Sequence, residues 1–167
     1  GGRVMEELLF ARIREDAVIP SKRVEDAGYD IYAAFDEDYM LFAPLETRRV
    51  PTGLLSAFSP DYYFQLQERG STGTRGISQR CGVIDSGFRS EWMIPLTNLN
   101  KKPLVLVKPG KEDLFAGQDV VLYPISKAIC QAILLPVPRT EVRELSPEEI
   151  RAIPSARGTG ELGSTGK

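Results

Sequence analysis

Apolar residues recur along the chain in short runs, many alternating with polar ones, and Gly or Pro punctuates most of the gaps. The runs Leu8–Ile13, Gly28–Ala33, Glu46–Pro51, Leu54–Phe58, Tyr63–Gln67, Glu91–Thr97, Leu104–Val107, Val120–Leu122 and Ala128–Val137 read as strands. Each is rich in Val, Ile, Leu or aromatic residues. Short strands at regular spacing predict an all-β sandwich or barrel. One helix is signalled. Ser146-Pro147-Glu148-Glu149 joins a hydroxyl N-cap, Pro at the first helical position and Glu three residues after the cap. Pro154 then stops it, so a short helix is expected over 146–153. The tail beyond, Ser155 to Lys167, is Gly-rich and has almost nothing to bury. It reads either as a disordered terminus or as a phosphate clamp, in which glycines let backbone N–H groups approach anions and Arg157 supplies charge.

Composition narrows the chemistry more than the architecture. The chain has 167 residues, 26% of them charged, and a net charge of −2. That fits one folded domain and leaves no broad basic face for duplex nucleic acid. No apolar stretch approaches a membrane span. There is no histidine, which excludes imidazole acid–base catalysis, His-bound zinc and Ser-His or Cys-His nucleophiles. A general base must be Asp, Glu, Lys, Tyr or a thiolate. The two cysteines, Cys81 and Cys130, fit neither a zinc spacing nor a disulfide framework and read as reduced thiols. Residues 1–4 read as a cloning remnant ahead of Met5, without the apolar core of a signal peptide, so a cytoplasmic location is expected.

Four further segments carry candidate chemistry. Ala27-Gly28-Tyr29-Asp30 delivers a carboxylate at a strand start after a small-residue turn. The run from Glu68 to Gly76 holds three glycines, three hydroxyls and two arginines, and reads as a polar hairpin loop or as an anion nest. In Cys81-Gly82-Val83-Ile84-Asp85-Ser86-Gly87-Phe88, Asp85 sits either at the lip of an apolar pocket, where a general base belongs, or in an Asx-type turn. Gln131 places an amide inside an apolar strand and must be bonded, to backbone or to a ligand.

In this order, and together with the tail, these five segments resemble the five motifs of the trimeric dUTP pyrophosphatases, the dUTPases, over about residues 8–166. The resemblance implies a jelly-roll-like β-clip subunit over 5–138, with a short C-terminal helix and an extended arm over 139–167. It implies hydrolysis of dUTP to dUMP and pyrophosphate, with Mg²⁺ as cofactor, in a homotrimer whose sites lie at subunit interfaces. Asp85 takes the place of the base that activates water for in-line attack on the α-phosphorus. Asp30 holds Mg²⁺ through water, and Gln131 supports the metal waters or the α-phosphate. Arg69, Gly70, Ser71, Thr72 and Gly73 bind phosphates. Two alignments of that motif stay open: Arg69 with Ser71, or Thr72-Gly73 as the hydroxyl–Gly pair. Gly82, Val83, Ile84 and Met93 belong to the uracil pocket, with the backbone of Gly82–Ile84 reading the base edge, and Gln79 is a further substrate-binding residue. Phe88 occupies the place of a Tyr that packs on the deoxyribose. Arg157, Gly160, Leu162, Gly163, Ser164 and Thr165 close over the substrate.

Two departures stand out. Leu162 stands where the family carries a Phe that stacks on uracil, which leaves Trp92 and Tyr123 as substitute candidates, and Glu161 replaces a glycine. Alternatives of the same fold are a dCTP deaminase-type enzyme and a nucleotide-dependent regulatory trimer with a protein partner. The deaminase needs a Glu further along the strand after Asp85, where Met93, Ile94 and Pro95 stand.

Overall fold

In the computed structural model, residues 5–158 are described. They form β1 (Leu9–Arg12), β2 (Tyr29–Ile31), β3 (Tyr39–Phe42), β4 (Thr47–Pro51), β5 (Leu54–Ala57) and β6 (Tyr62–Gln67). A single helical turn, α1 (Gly70–Gly73), precedes β7 (Ile77–Gln79), β8 (Val83–Asp85), β9 (Met93–Asn98) and β10 (Leu104–Val107). A 3-10 turn at Glu112–Phe115, β11 (Val121–Pro124), β12 (Cys130–Pro136) and α2 (Pro147–Arg151) follow. The all-β class expected from the strand runs is the architecture observed.

The strands pair into sheets ordered β2-β12-β6-β8, β4-β9-β7, β11-β10-β3 and β1-β5. The pairs are antiparallel, except that β10 and β11 run parallel. Strict alternation divides the first sheet into two faces. Ile31, Phe64, Leu66, Ile84, Cys130 and Ala132 point inward and are buried. They join Phe42, Val50, Leu54, Trp92, Ile94, Leu96, Leu104 and Leu106 in one continuous core. Phe64 is its hub, meeting Phe58, Tyr29 and Trp92 edge-on at 5.0, 6.1 and 5.4 Å between ring centroids. Truncating such a residue to Ala costs about 3–5 kcal/mol.

Several elements escape the hydrophobic pattern, β3, β7 and α1 among them. Strand β3 carries Tyr39 and Leu41 on its outer face, so Tyr-Met-Leu-Phe never alternates in polarity although its burial does. Strand β7 is only three residues long. Helix α1 is one turn without apolar periodicity, set by a side chain: the backbone N–H of Arg69 donates to Thr72 Oγ1 at 3.0 Å, and that hydroxyl donates back to the Arg69 carbonyl at 3.1 Å.

The described chain falls into two units that meet in sequence at Val137 and Pro138. Within the second, α2 forms where its capping box lies. Ser146 Oγ accepts from the Glu149 N–H at 3.1 Å, and the Glu149 carboxylate accepts from the Ser146 N–H at 3.1 Å. That bond holds the Glu149 carboxyl below its usual range. Among the described residues, no helix is long and apolar enough to cross a membrane.

Candidate active site

The outward face of the sheet β2-β12-β6-β8 carries the polar chemistry. Register places Gln131 on β12 directly between Asp30 on β2 and Gln67 on β6. Gln131 is not left as a buried orphan: its Nε2 donates to the Glu68 carbonyl at 3.0 Å. Its close neighbour explains a glycine. A Cβ at Gly28 would lie 2.5 Å from Gln131 Oε1 and 3.0 Å from Gln131 Cβ. Gly28→Ala should therefore push the amide off the Glu68 carbonyl. Losing one such bond costs about 1 kcal/mol, so the melting temperature should fall by about 2–4 °C. An unchanged melting temperature would mean that the amide keeps its partner.

Arg69 ties the first two motifs together. Its Nε lies 3.3 Å from Asp30 Oδ1, and Nη1 donates to Ser71 Oγ at 3.2 Å and to the Ala128 carbonyl at 3.3 Å. Gly28, Asp30, Arg69, Gly70, Ser71 and Gln131 line one open cleft of about 860 Å³. Segments far apart in sequence thus share one wall. The same cleft is also lined by the Ser21–Asp26 stretch, which sequence reasoning passed over; the Ser21 carbonyl accepts from the Asp30 N–H at 3.2 Å. Its Lys22 reaches over the Tyr29 ring, 5.3 Å from the centroid. The adjacent cations Lys22-Arg23, just ahead of the Gly28 turn, were the available signal.

The two alignments of the second motif are physically distinct in the structure. Arg69, Gly70 and Ser71 face the cleft, whereas Thr72 is 1% exposed and its hydroxyl is spent on the α1 turn. Gly73 lies outside the cleft lining. Beneath the cleft, Cys130 is fully buried, and burial, with the nearby Asp30 charge, pushes its thiol up to about 12. It is an inert core residue.

The third motif lies elsewhere. The chain leaves β7 and switches sheets at Arg80-Cys81-Gly82, where Cys81 adopts φ 62°, a left-handed conformation uncommon for a residue with a side chain. Strand β8 then pairs with β6, Asp85 opposite Tyr63, at the edge of its sheet. Its other side meets no strand among the described residues. Asp85 is exposed, and its carbonyl accepts from the Phe88 N–H at 3.1 Å, so the turn and the presented carboxylate coexist. Phe88 is 38% exposed. Gln79 is half-buried and donates to the Arg80 carbonyl, and Met93 is half-buried at the start of β9. Val83 is exposed while Gly82 and Ile84 are buried.

Asp85 and the cleft do not meet within one chain. Asp30 and Asp85 sit on strands at opposite edges of the sheet, three strand spacings apart. The paired residues on β6, Gln67 and Tyr63, are four positions apart. With about 4.8 Å between strands and about 3.3 Å per residue, their backbones are about 20 Å apart.

Two expectations are corrected. Trp92 and Tyr123 are both 0% exposed and cannot stack on a base. The indole N–H of Trp92 donates to Ser56 Oγ at 2.9 Å inside the core. In the tail, Arg157 is exposed. Gly160, Leu162, Gly163, Ser164 and Thr165 lie outside the described residues.

Comparison with known proteins bears on the family of the chain. The dUTPase family model matches residues 14–111. The deoxyuridine 5'-triphosphate nucleotidohydrolase of Wolbachia pipientis subsp. Culex pipiens is 31% identical over 147 residues, covering 86% of this chain and 83% of that protein. The human mitochondrial protein of the same name is 30% identical over 164 residues, 96% of this chain and 55% of that protein. Among solved structures, a variant of the Staphylococcus bacteriophage 80alpha dUTPase with dUpNHpp superposes with a TM-score of 0.75 at 20% identity, over 96% of this chain and 99% of that one. The native EIAV dUTPase gives 0.61 at 20% identity, over 84% and 98%. With the matched family segment spanning more than half of its length, the chain belongs to the dUTPase family.

Proposed function

We propose that this protein hydrolyses dUTP to dUMP and pyrophosphate. The observation that carries the reading is the cleft, where a carboxylate, a guanidinium, a hydroxyl and an amide from three motifs converge. That set suits a nucleotide phosphate chain: Arg69 gives directional charge, and Ser71 and Gly70 add donors that approach closely. Arg69 keeps Asp30 as the partner of Nε and has Nη2 left to meet a phosphate oxygen. Asp85 accepts the proton of the attacking water. The water oxygen forms a bond to the α-phosphorus as the bond to the bridging β-phosphate oxygen breaks, and pyrophosphate leaves with the electron pair. Phosphoryl transfer of this kind needs positioning and charge more than covalent catalysis. A lone carboxylate base therefore suffices in a chain with no histidine.

Asp30 and Gln131 fit Mg²⁺. One carboxylate and one amide beside an open cleft suit a hard cation that keeps most of its water shell. Bound there, the ion neutralises phosphate charge. The uracil edge is assigned to the free side of β8 around Gly82–Ile84, with Gln79 and Met93 nearby and the Phe88 ring packed on the deoxyribose. Residues 139–167 act as the arm that closes over the substrate, with Arg157, Gly160, Ser164 and Thr165 over the phosphates and Leu162 and Gly163 as further substrate contacts. The span between Asp85 and Asp30 supports a homotrimer in which different subunits supply the two carboxylates. A cytoplasmic location completes this reading.

Pyrophosphate release from dUTP, dTTP, dCTP and UTP in Mg²⁺ tests the reading. Release from dUTP alone is expected. Turnover of dTTP or UTP at a comparable rate would mean that the pocket does not select base and sugar, and no release from any would overturn the proposal.

A further inference from the structure

We propose that Tyr123 is a positioning residue for the phosphate-binding segment Arg69–Arg75, acting from beneath it through the Ala128 carbonyl. If Tyr123 only filled the core, its oxygen would be a liability, because a buried hydroxyl costs free energy unless it is bonded. This one is bonded, and to the part of the molecule that underlies the cleft. The phenol donates to the Ala128 carbonyl at 2.5 Å. The same carbonyl accepts from Arg69 Nη1 at 3.3 Å. Ser71 Oγ lies 3.5 Å from the phenol oxygen and accepts from Arg69 Nη1 at 3.2 Å. The Arg75 guanidinium covers the ring at 5.7 Å from its centroid. The segment thus touches one rigid side chain at its hydroxyl and at its aromatic face.

The consequence is geometric. Arg69 commits Nε to Asp30 and Nη1 to Ser71 and Ala128, which leaves Nη2 for a phosphate oxygen. The plane of the guanidinium then depends on where the Ala128 carbonyl points. Tyr123 is fully buried, so a water cannot take over its bond when the oxygen is removed. A guanidinium that has lost its fixed plane binds phosphate less well in the ground and transition states alike. That loss raises KM and leaves kcat unchanged.

The inference rests on dUTP being the substrate, so the wild-type protein is the control: failure of wild type to hydrolyse dUTP removes the functional reading itself. With wild type active, Tyr123→Phe should raise KM about fivefold, the worth of one buried hydrogen bond, with kcat within about twofold. In an Arg69→Lys background, where no planar fork remains to be aimed, the same change should alter KM by less than about twofold. An equal factor in both backgrounds, or a lowered melting temperature with unchanged KM, would overturn the proposal. If Tyr123→Phe does not fold, Arg75→Ala, which removes the exposed cation over the ring, decides. A KM raised about two- to threefold by loss of the cation–π contact supports the proposal, and an unchanged KM sinks it.

Discussion

Asp85→Asn abolishes most turnover: kcat for dUTP should fall by about 10²–10⁴-fold, the range for losing a positioned general base. Asn keeps the shape of the side chain and its place beside the turn into Phe88, and removes only the ability to take a proton. Asp85 is exposed and lies at the end of an edge strand, so neither core packing nor the sheet ladder is disturbed. Melting temperature and affinity for dUTP should stay close to wild type. The combination matters, because a structural defect would lower stability and binding with the rate. A variant retaining more than a tenth of wild-type kcat would place the base elsewhere. The absence of histidine then narrows the search to other carboxylates, lysines, tyrosines and thiolates.

The second large effect is a gain of activity. Asp30→Asn removes the partner of Arg69 and the carboxylate assigned to the hydrated Mg²⁺, so it should be nearly inactive alone, as Asp85→Asn should be. Unfolding the two variants together in equal amounts and refolding them should restore about a quarter of the wild-type rate, if each site takes Asp30 from one subunit and Asp85 from another. Random assembly then gives each site both intact carboxylates about one time in four. If one chain supplied both, every site would carry a defect and mixing would restore nothing. The outcome tests the roughly 20 Å separation estimated from strand spacing and rise directly. No rearrangement of a single nucleotide bridges that span between a base and the phosphate it must serve. Recovery at the level of either variant alone would overturn the shared site.

Much of the fold was legible because the strands are short and bounded by Gly or Pro. For Leu104–Val107 the run and the strand coincide, and for the others one or both ends differ by one or two residues. Those ends are set by where a neighbouring strand stops pairing, which local pattern does not encode. Residues Tyr39–Phe42 were missed because both faces are apolar, and Gly70–Gly73 because one turn has no period. Cys81 could not be anticipated as left-handed: Gly82 beside it is the more natural residue for such a turn.

Within the site, the boundary falls between motif identity and side-chain direction. Which residue types occur, and in which order, is a property of the linear chain. The five-motif order, the all-β class and the restriction of the base to something other than histidine follow from it. Which of Arg69, Ser71 or Thr72 faces the cleft depends on a one-turn helix closed by the Thr72 hydroxyl. That Trp92 and Tyr123 are core rather than lid depends on which face of their elements meets the rest of the molecule. That Asp30 and Gln131 stand side by side while Asp85 stands apart depends on strand order and register in a four-stranded sheet. Register is settled by burying a whole apolar face at once, since a slip of one residue would turn every side chain to the other side. It is a cooperative property of many distant residues, and no single motif contains it.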